Sequence, residues 1–386
     1  MSEYQYYRFE TVDRVLSPSV RKELRAISSR ADINSDSFCV TYNYGDFRGD
    51  VNAIMLEHFD VGFYFANWGT RRAYITLPSG TIPAPFINAI EKEWVCEVHN
   101  NEQSQLVVFL IEDQWDYLDD EDALDVLEQL TALRLEMLSG DFRVLYCAWA
   151  TDIEYTGEYQ QDNIIPLIHF DFKQLTQAQI DFSNLFFSGD SVIRALDLYL
   201  AQHPSDMPSQ QPKNTKESWL ATLSDQDKNT LLGELFDQGH LSFSQAQTYL
   251  CSTSEPQQPT YEHYVSADNL SSYIELAQLE LEQERVRAEE LQAQRDRAKR
   301  EKHLSVVYDD REKHWKSVAT QTSRTCASGY NNASKTLNEL YDAYQLKQML
   351  DDFVVRYRQF VTLNQKRRAL ILRLDPLTTK LVNLDK

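Results

Sequence analysis

The chain has 386 residues, enough for two or three domains, and 42% of them are apolar, which suffices for a buried core. With only 11 glycines and 11 prolines, the chain is neither collagen-like nor wholly disordered. No apolar run approaches the roughly 18 residues of a membrane span. Residues 1–8 lack the basic-then-apolar order of a signal peptide. We therefore expect a cytoplasmic protein that does not contact a membrane.

The net charge of −21 is unevenly distributed along the chain. Residues 1–200 carry 33 acidic and 14 basic side chains, residues 201–263 carry 8 and 3, and residues 264–386 carry 18 and 21. A strongly negative surface repels nucleic acid and anionic lipid. Any contact with nucleic acid is therefore expected in the last third. The five cysteines lie far apart and include no C-x-x-C pair, so we predict no zinc site and a reducing compartment.

The first 200 residues alternate strand-like and helix-like patterns. Six strands are predicted at residues 4–12, 38–44, 61–66, 73–77, 94–99 and 106–111, the last four as two hairpins. Ser17-Pro18 marks the start of one helix and the acidic residues 119–122 mark the start of another. Residues 142–150 are compatible with a strand or a helix. We expect an acidic α+β domain over residues 1–201, an antiparallel sheet with helices on one face.

The remainder of the chain is predicted to be helical. A proline-rich linker at 202–216 leads to a small helical module at 217–251, and a long antiparallel helical hairpin or coiled coil occupies 264–386. A 4-3 spacing typical of a coiled-coil seam joins Leu270, Ile274, Ala277, Leu281, Ala288 and Leu291. The last helix has an apolar stripe of Leu337, Tyr341, Tyr344, Phe353, Tyr357 and Phe360. We expect the seam to pack on this stripe.

Three short motifs distinguish the N-terminal part of the chain: SSRADI at 28–33, GDFRGD at 45–50 and ANWGTRR at 66–72. Together with WLATL at 219–223 and the long C-terminal helices, they resemble a family of bacterial proteins that are often encoded near SWIM zinc-finger proteins. The resemblance implies a protein partner, with a SWIM zinc-finger protein as the candidate. Because this chain lacks the cysteine and histidine ligands of such a finger, it would be the companion. The resemblance assigns no activity and no catalytic residue.

One group of polar residues near the first hairpin could bind a ligand. Its members are Asp46, Arg48, Asp50, His58, Asp60, Arg71 and Arg72. Carboxylates, a histidine and arginines at one sheet edge could hold an anion or a metal ion. However, aspartates beside glycines are also favoured in turns, and Arg71 and Arg72 must point to opposite faces of a strand. A structural role is therefore the simpler interpretation. Trp68, at the tip of the hairpin, is expected to be a buried anchor.

Basic residues concentrate in the last third of the chain. Those that could contact a nucleic-acid backbone are Arg295, Arg297, Lys299, Arg300, Lys366, Arg367 and Arg368. A solvated helix face, or pairing with the acidic part of the chain, would require the same residue types. A solvated or intramolecularly paired helix face is a simpler interpretation than nucleic-acid contact.

The sequence contains no G-x-S-x-G, no phosphate loop and no H-E-x-x-H motif. We predict no catalytic residue, no metal and no cofactor. The predicted function is protein–protein interaction, as a scaffold or accessory subunit of a bacterial multi-protein system. Two alternatives remain open: a ligand-binding or enzymatic module centred on residues 46–72, and nucleic-acid contact through the C-terminal helices.

Overall fold

A computed structural model describes residues 3–12, 14–114, 118–157, 161–168, 172, 174–187, 189–204, 223–239, 241, 245–246 and 261–384. The chain divides into two compact units, Met1–Leu281 (unit 1) and Glu282–Lys386 (unit 2). Unit 1 carries 44 acidic and 17 basic side chains, a net charge of −27, and unit 2 carries 15 and 21, a net charge of +6. The boundary between the units is therefore also a boundary in charge.

Unit 1 is built on a seven-stranded sheet in which every neighbouring pair is antiparallel. Its strands are β1 Gln5–Glu10, β2 Asp32–Ile33, β3 Ser37–Tyr42, β4 Val61–Ala66, β5 Arg71–Pro78, β6 Cys96–Asn100 and β7 Ser104–Ile111. Their spatial order is β2-β3-β1-β4-β5-β7-β6. Both predicted hairpins, β4 with β5 and β6 with β7, are confirmed.

The turn of the β4–β5 hairpin depends on Gly69. Its φ of +97° lies in the left-handed region, which costs a glycine little because glycine has no Cβ. A Cβ at this position would also lie 2.7 Å from the backbone nitrogen of Gln114. Gln114 in turn donates its backbone N–H to the Gly69 carbonyl at 3.1 Å. The turn is thereby joined to the segment that follows β7.

Helices cover both faces of the sheet. They are α1 Pro18–Ile27, α2 Val51–His58, α3 Ala84–Ile90, α4 Asp120–Leu138, α5 Arg143–Thr156, α6 Gln177–Phe186 and α7 Asp190–Gln202. Phe63 and Phe65 of β4 share a core with α3–α7, whereas Tyr64 and Ala66 share a core with α1 and α2. The expectation of helices on one face is wrong. All six residues of β4 are buried, as is typical of a strand covered on both sides.

The segment that follows residue 261 returns to unit 1. Strand β9, Tyr264–Ser266, pairs with β8, Ile164–Pro166. Leu270, Ile274 and Ala277 of the next helix are buried in the core of unit 1. Residues 264–281, which the sequence assigns to the helical hairpin, are thus part of unit 1. Residues 142–150 lie within α5, a helix.

Two predicted segments lie largely outside the described residues. Of the linker at 202–216, the structure describes only residues 202–204. Of the helical module at 217–251, it describes residues 223–239, 241 and 245–246. Within them, helix α8 runs from Asp225 to Gln238 and is capped by Ser224 at its start and Gly239 at its end.

The described residues of unit 2 form helices joined by short turns. Helix α9, Ala267–Asp309, starts in unit 1 and continues into unit 2, where α10 Arg311–Ser323, α11 Ala327–Leu346, α12 Leu350–Asn364 and α13 Arg368–Leu384 follow. Helix α11 returns antiparallel to α10 and the end of α9, since Gly329 at its start lies against the end of α10 and Tyr344 near its end packs on Tyr308 at the end of α9. The predicted α+β class, with a long C-terminal helical region, is confirmed.

The partner of the apolar stripe differs from the prediction. Leu337, Tyr341, Tyr344, Phe353 and Tyr357 form the core of unit 2 with residues such as Trp315 and Leu374, whereas the first half of the seam lies in the core of unit 1. The stripe also spans two helices, because the chain turns at Gln348, whose φ is +57°. The expected packing of seam on stripe is therefore wrong.

Candidate functional site

The predicted ligand group at residues 46–72 is dispersed over several local roles. Asp50 caps α2 by accepting a hydrogen bond from the Ala53 N–H at 3.1 Å, and His58 is the last residue of the same helix. At about 1.5 Å per residue, the length of the helix separates these two side chains by about 12 Å. Arg48 is exposed in the loop before α2. Asp46 accepts a hydrogen bond from the Gln5 side-chain amide at 3.2 Å.

Asp46 and Arg72 are the two members of the group that lie around one side chain, Tyr64. Burial raises the pKa of the Tyr64 hydroxyl, Arg72 opposes that shift, and Asp46 adds to it. Arg71 lies on the other face of the sheet, as the alternation of a strand requires. It is buried and lines a cleft of about 600 Å3 beside the start of α4, together with Tyr4 and Asp120.

Asp60 is a structural residue in the interior of unit 1. Its carboxylate accepts the Val12 backbone N–H at 2.7 Å and lies 3.5 Å from the Arg134 guanidinium. Arg134 also donates its Nε–H to the Thr76 carbonyl at 2.8 Å. Both side chains are almost fully buried. This pair satisfies backbone groups of the sheet and of the loop that follows β1, so it is part of the fold.

The structure presents a different candidate site, an open cleft of about 820 Å3 in unit 1. It is bounded by Arg72 of β5, the segments around β6 and the end of β7, and residues of α5 and α6. We call it the acidic cleft, because four carboxylates and one guanidinium line it. The carboxylates belong to Glu93, Glu97, Glu112 and Asp113.

An exposed aromatic pair forms one wall of the acidic cleft. The ring centroids of Trp94 and Tyr155 are 6.2 Å apart, and the rings are inclined by 34°. Trp94 is 48% exposed and Tyr155 is 75% exposed. The two rings together present an exposed aromatic surface on which a ligand could pack.

Hydrogen bonds hold the Trp94 ring in place. Its indole N–H donates to the buried carboxylate of Asp152 at 3.3 Å. Asp152 also accepts from the Asn163 side-chain amide at 3.3 Å, and Asn163 accepts from the indole of buried Trp149 at 2.7 Å. The exposed ring is thus anchored to the core, which reduces the entropy lost when a ligand packs on it.

The backbone at the acidic cleft carries local strain. Asp113 has a φ of +61°, a conformation that few residues other than glycine, asparagine and aspartate adopt. Such residues concentrate where a side chain must be aimed at a ligand or a neighbour. The strain at Asp113 accompanies the close approach of Gln114 to the hairpin turn at Gly69.

The side chains of the acidic cleft suit cation binding better than nucleophilic chemistry. No histidine, cysteine or serine is among the described residues that line it, and the Thr151 hydroxyl donates to the Cys147 carbonyl at 2.9 Å. Carboxylates beside an aromatic face attract Lys and Arg side chains by charge and by the cation–π interaction. Over the described part of the chain, no three His, Cys, Asp or Glu side chains are grouped to hold a metal ion.

The sequence did not single out Trp94 or Tyr155. The sequence places Trp94 in a predicted strand and gives no signal that would pair it with Tyr155. Trp68 is 39% exposed at the hairpin tip, so the expectation that it is a buried anchor is wrong. Only the packing of α5 beside the segment before β6 brings Trp94 and Tyr155 together.

Of the basic residues predicted to contact nucleic acid, five are exposed and two bind other groups of the chain. Arg295, Arg297 and Lys299 are exposed on α9, and Lys366 and Arg368 are exposed around the start of α13. Arg300 forms an ion pair with Asp342 at 2.7 Å, and Arg367 donates to the Thr322 carbonyl. Nucleic-acid contact through these helices stays a prediction.

Comparison with protein-family models, with curated proteins and with solved structures gave no match to this chain. Among the helices of the described ranges, none combines the length and the apolar character required to cross a membrane.

Proposed function

We propose that this chain is a non-catalytic, cytoplasmic protein-interaction protein that binds a basic, extended segment of a partner protein in the acidic cleft. One observation carries the proposal: four carboxylates surround the exposed and anchored aromatic wall of Trp94 and Tyr155. Lys and Arg side chains of a partner would contact both the carboxylates and the rings. The resemblance to proteins encoded near SWIM zinc-finger proteins makes such a protein the first full-length partner to test.

The charge of unit 1 supports the same partner chemistry. A net charge of −27 attracts cationic segments over distances of about a Debye length, roughly 8 Å at physiological salt, and raises their association rate. Arg72 supplies one positive side chain within the cleft, which orients a basic peptide by repelling its cations from that end. Affinity should therefore fall as the salt concentration rises.

The test is fluorescence anisotropy of a labelled peptide rich in Lys and Arg, with a Glu-rich peptide of the same length as the comparison. Tyr155→Ala should weaken binding of the basic peptide roughly two- to fivefold, the range expected for an exposed cation–π contact. Tyr44→Ala is the matched control, because Tyr44 is also 75% exposed and is not among the described residues of the cleft. It should leave binding unchanged.

A second variant tests the carboxylates without disturbing the backbone. Asp113→Asn removes one charge and keeps a residue type that tolerates a positive φ. We expect weaker binding of the basic peptide and a smaller dependence on salt. Equal binding of the basic and acidic peptides, or wild-type affinity in both Tyr155→Ala and Asp113→Asn, would refute the proposal.

A further inference from the structure

Helix α9 contains an unusually long solvated stretch. Its 22 consecutive residues from 282 to 303 are all exposed, about 33 Å of helix, whereas the residues on either side alternate between buried and exposed. Pairs within the helix, such as Arg285 with Glu289 at 2.6 Å, stabilise it only weakly, because both side chains are exposed to water. The predicted 4-3 seam nevertheless continues through this stretch, with Leu291 49% exposed.

The seam residues of this stretch are complementary to themselves in reverse order. From the half-buried Leu281 onward they are Leu281, Glu284, Ala288, Leu291, Arg295 and Ala298. When this list is reversed and set against itself, each leucine faces an alanine and Glu284 faces Arg295. Large side chains thus meet small ones, as in knobs-into-holes packing, and each of the two polar layers joins opposite charges.

We propose that the exposed stretch of α9 is a self-association surface, on which a second copy of this chain binds as an antiparallel coiled coil. In this register Ala288 faces Leu291 of the second copy, and Glu284 faces Arg295 of the second copy. A parallel dimer would instead place each Glu284 beside its equivalent, and each Arg295 beside its equivalent, which is repulsive at both layers. The proposal concerns a surface distinct from the acidic cleft, so the two stand or fall separately.

The experiment uses sedimentation velocity of the full chain over a range of concentrations. Wild type should show concentration-dependent dimers. Glu284→Arg places two arginines in each polar layer, and Arg295→Glu places two glutamates there, so each variant alone should dimerise about a hundredfold less tightly, since like charges in contact cost several kcal/mol. Glu290→Arg and Arg297→Glu are the controls on the outer side of the helix and should dimerise like wild type.

A charge-swapped double variant decides the register. A chain that carries both Glu284→Arg and Arg295→Glu again sets opposite charges against each other in both polar layers if the helices are antiparallel, whereas in a parallel dimer both layers would hold like charges, as they would in wild type and in each single variant. The double variant should therefore dimerise with close to wild-type affinity. All four substitutions lie on an exposed stretch of helix, and circular dichroism checks that the helix content is retained. A monomeric wild type, single variants that still dimerise like wild type, or a double variant that stays monomeric would overturn the proposal.

Discussion

The two units differ in where they place their ion pairs. Unit 1 buries Asp60 with Arg134 and largely buries Asp141 with Arg143. In unit 2 the described pairs, such as Arg300 with Asp342 and Glu312 with Arg356, are solvent-accessible. Arg134 donates to the Thr76 carbonyl of a strand, and Asp60 accepts from the Val12 N–H of a loop. A sheet covered on both faces removes such backbone groups from water. A helix satisfies its own backbone groups, so the bundle of unit 2 has less need for buried charge.

The largest effect is expected at the buried pair. Arg134→Met leaves the Asp60 carboxylate with the Val12 N–H and the more distant, partly exposed Arg14, and it should lower the free energy of unfolding by about 3–5 kcal/mol. Urea unfolding of the full chain measures this loss. The matched change in unit 2 is Arg300→Met, which removes an exposed pair and should cost about 1 kcal/mol or less. Similar losses of unfolding free energy in Arg134→Met and Arg300→Met would contradict the distinction between a buried ion pair in unit 1 and an exposed one in unit 2.

A second contrast concerns thiol reactivity. In unit 1, burial raises the pKa of Cys147 to about 12 and also raises the pKa of Cys39 and Cys96. In unit 2, hydrogen bonds from Ser328 and the Gly329 backbone lower the pKa of exposed Cys326. Because the thiolate is the nucleophile, iodoacetamide should alkylate Cys326 at least roughly tenfold faster than Cys147 near neutral pH.

Peptide mapping by mass spectrometry measures the labelling at each thiol. The experiment uses a Cys251→Ser background, so that reaction at residue 251 does not enter the comparison. The rate at Cys326 should rise with pH until its thiol is fully ionised and then level off. Urea should expose the cysteines of unit 1 and remove most of the difference. Labelling of Cys147 at the rate of Cys326 in the folded chain would show that α5 opens readily.

The smallest expected effect is an opposite pH dependence of two glutamates. Burial raises the pKa of Glu136 in unit 1, so its charged form destabilises the fold and this cost disappears as the pH falls through the raised pKa. A hydrogen bond from Arg356 lowers the pKa of Glu312 in unit 2. Glu312 therefore contributes stability above its unfolded pKa and loses it as the pH falls through its lowered pKa.

Glutamine variants separate the two effects. Between neutral pH and the ordinary pKa of glutamate, Glu136→Gln should be more stable than wild type by a margin that shrinks as the pH falls. Glu312→Gln should be less stable than wild type by a margin that shrinks at lower pH, below the ordinary glutamate pKa. Urea unfolding at several pH values measures both differences. If both variants were more stable than wild type at neutral pH, or both less stable, burial could not dominate at Glu136 while hydrogen bonding dominates at Glu312.

Local sequence determined most of the elements of this protein. Ser17 caps α1 and Asp119 begins α4 with a reciprocal capping box, because a cap is a hydrogen bond between residues two or three apart. Gly140, with a φ of +84°, follows the end of α4, and Gly69 makes the predicted turn, since both positions need a residue without a Cβ. The α+β class and the helical C-terminal region followed from these local signals.

Tertiary structure alone decided which of those elements meet. The 4-3 seam of α9 was visible in the sequence, but its first half is buried in unit 1, because β9 pairs with β8 and carries the start of α9 back to that core. Arg134 binds Asp60 across 74 positions, and Trp94, before β6, lies beside Tyr155 of α5. A periodic pattern specifies that a face must be buried, and many partners satisfy that requirement equally well. The partner is selected by strand order and helix packing over the whole chain, which no short stretch of residues encodes.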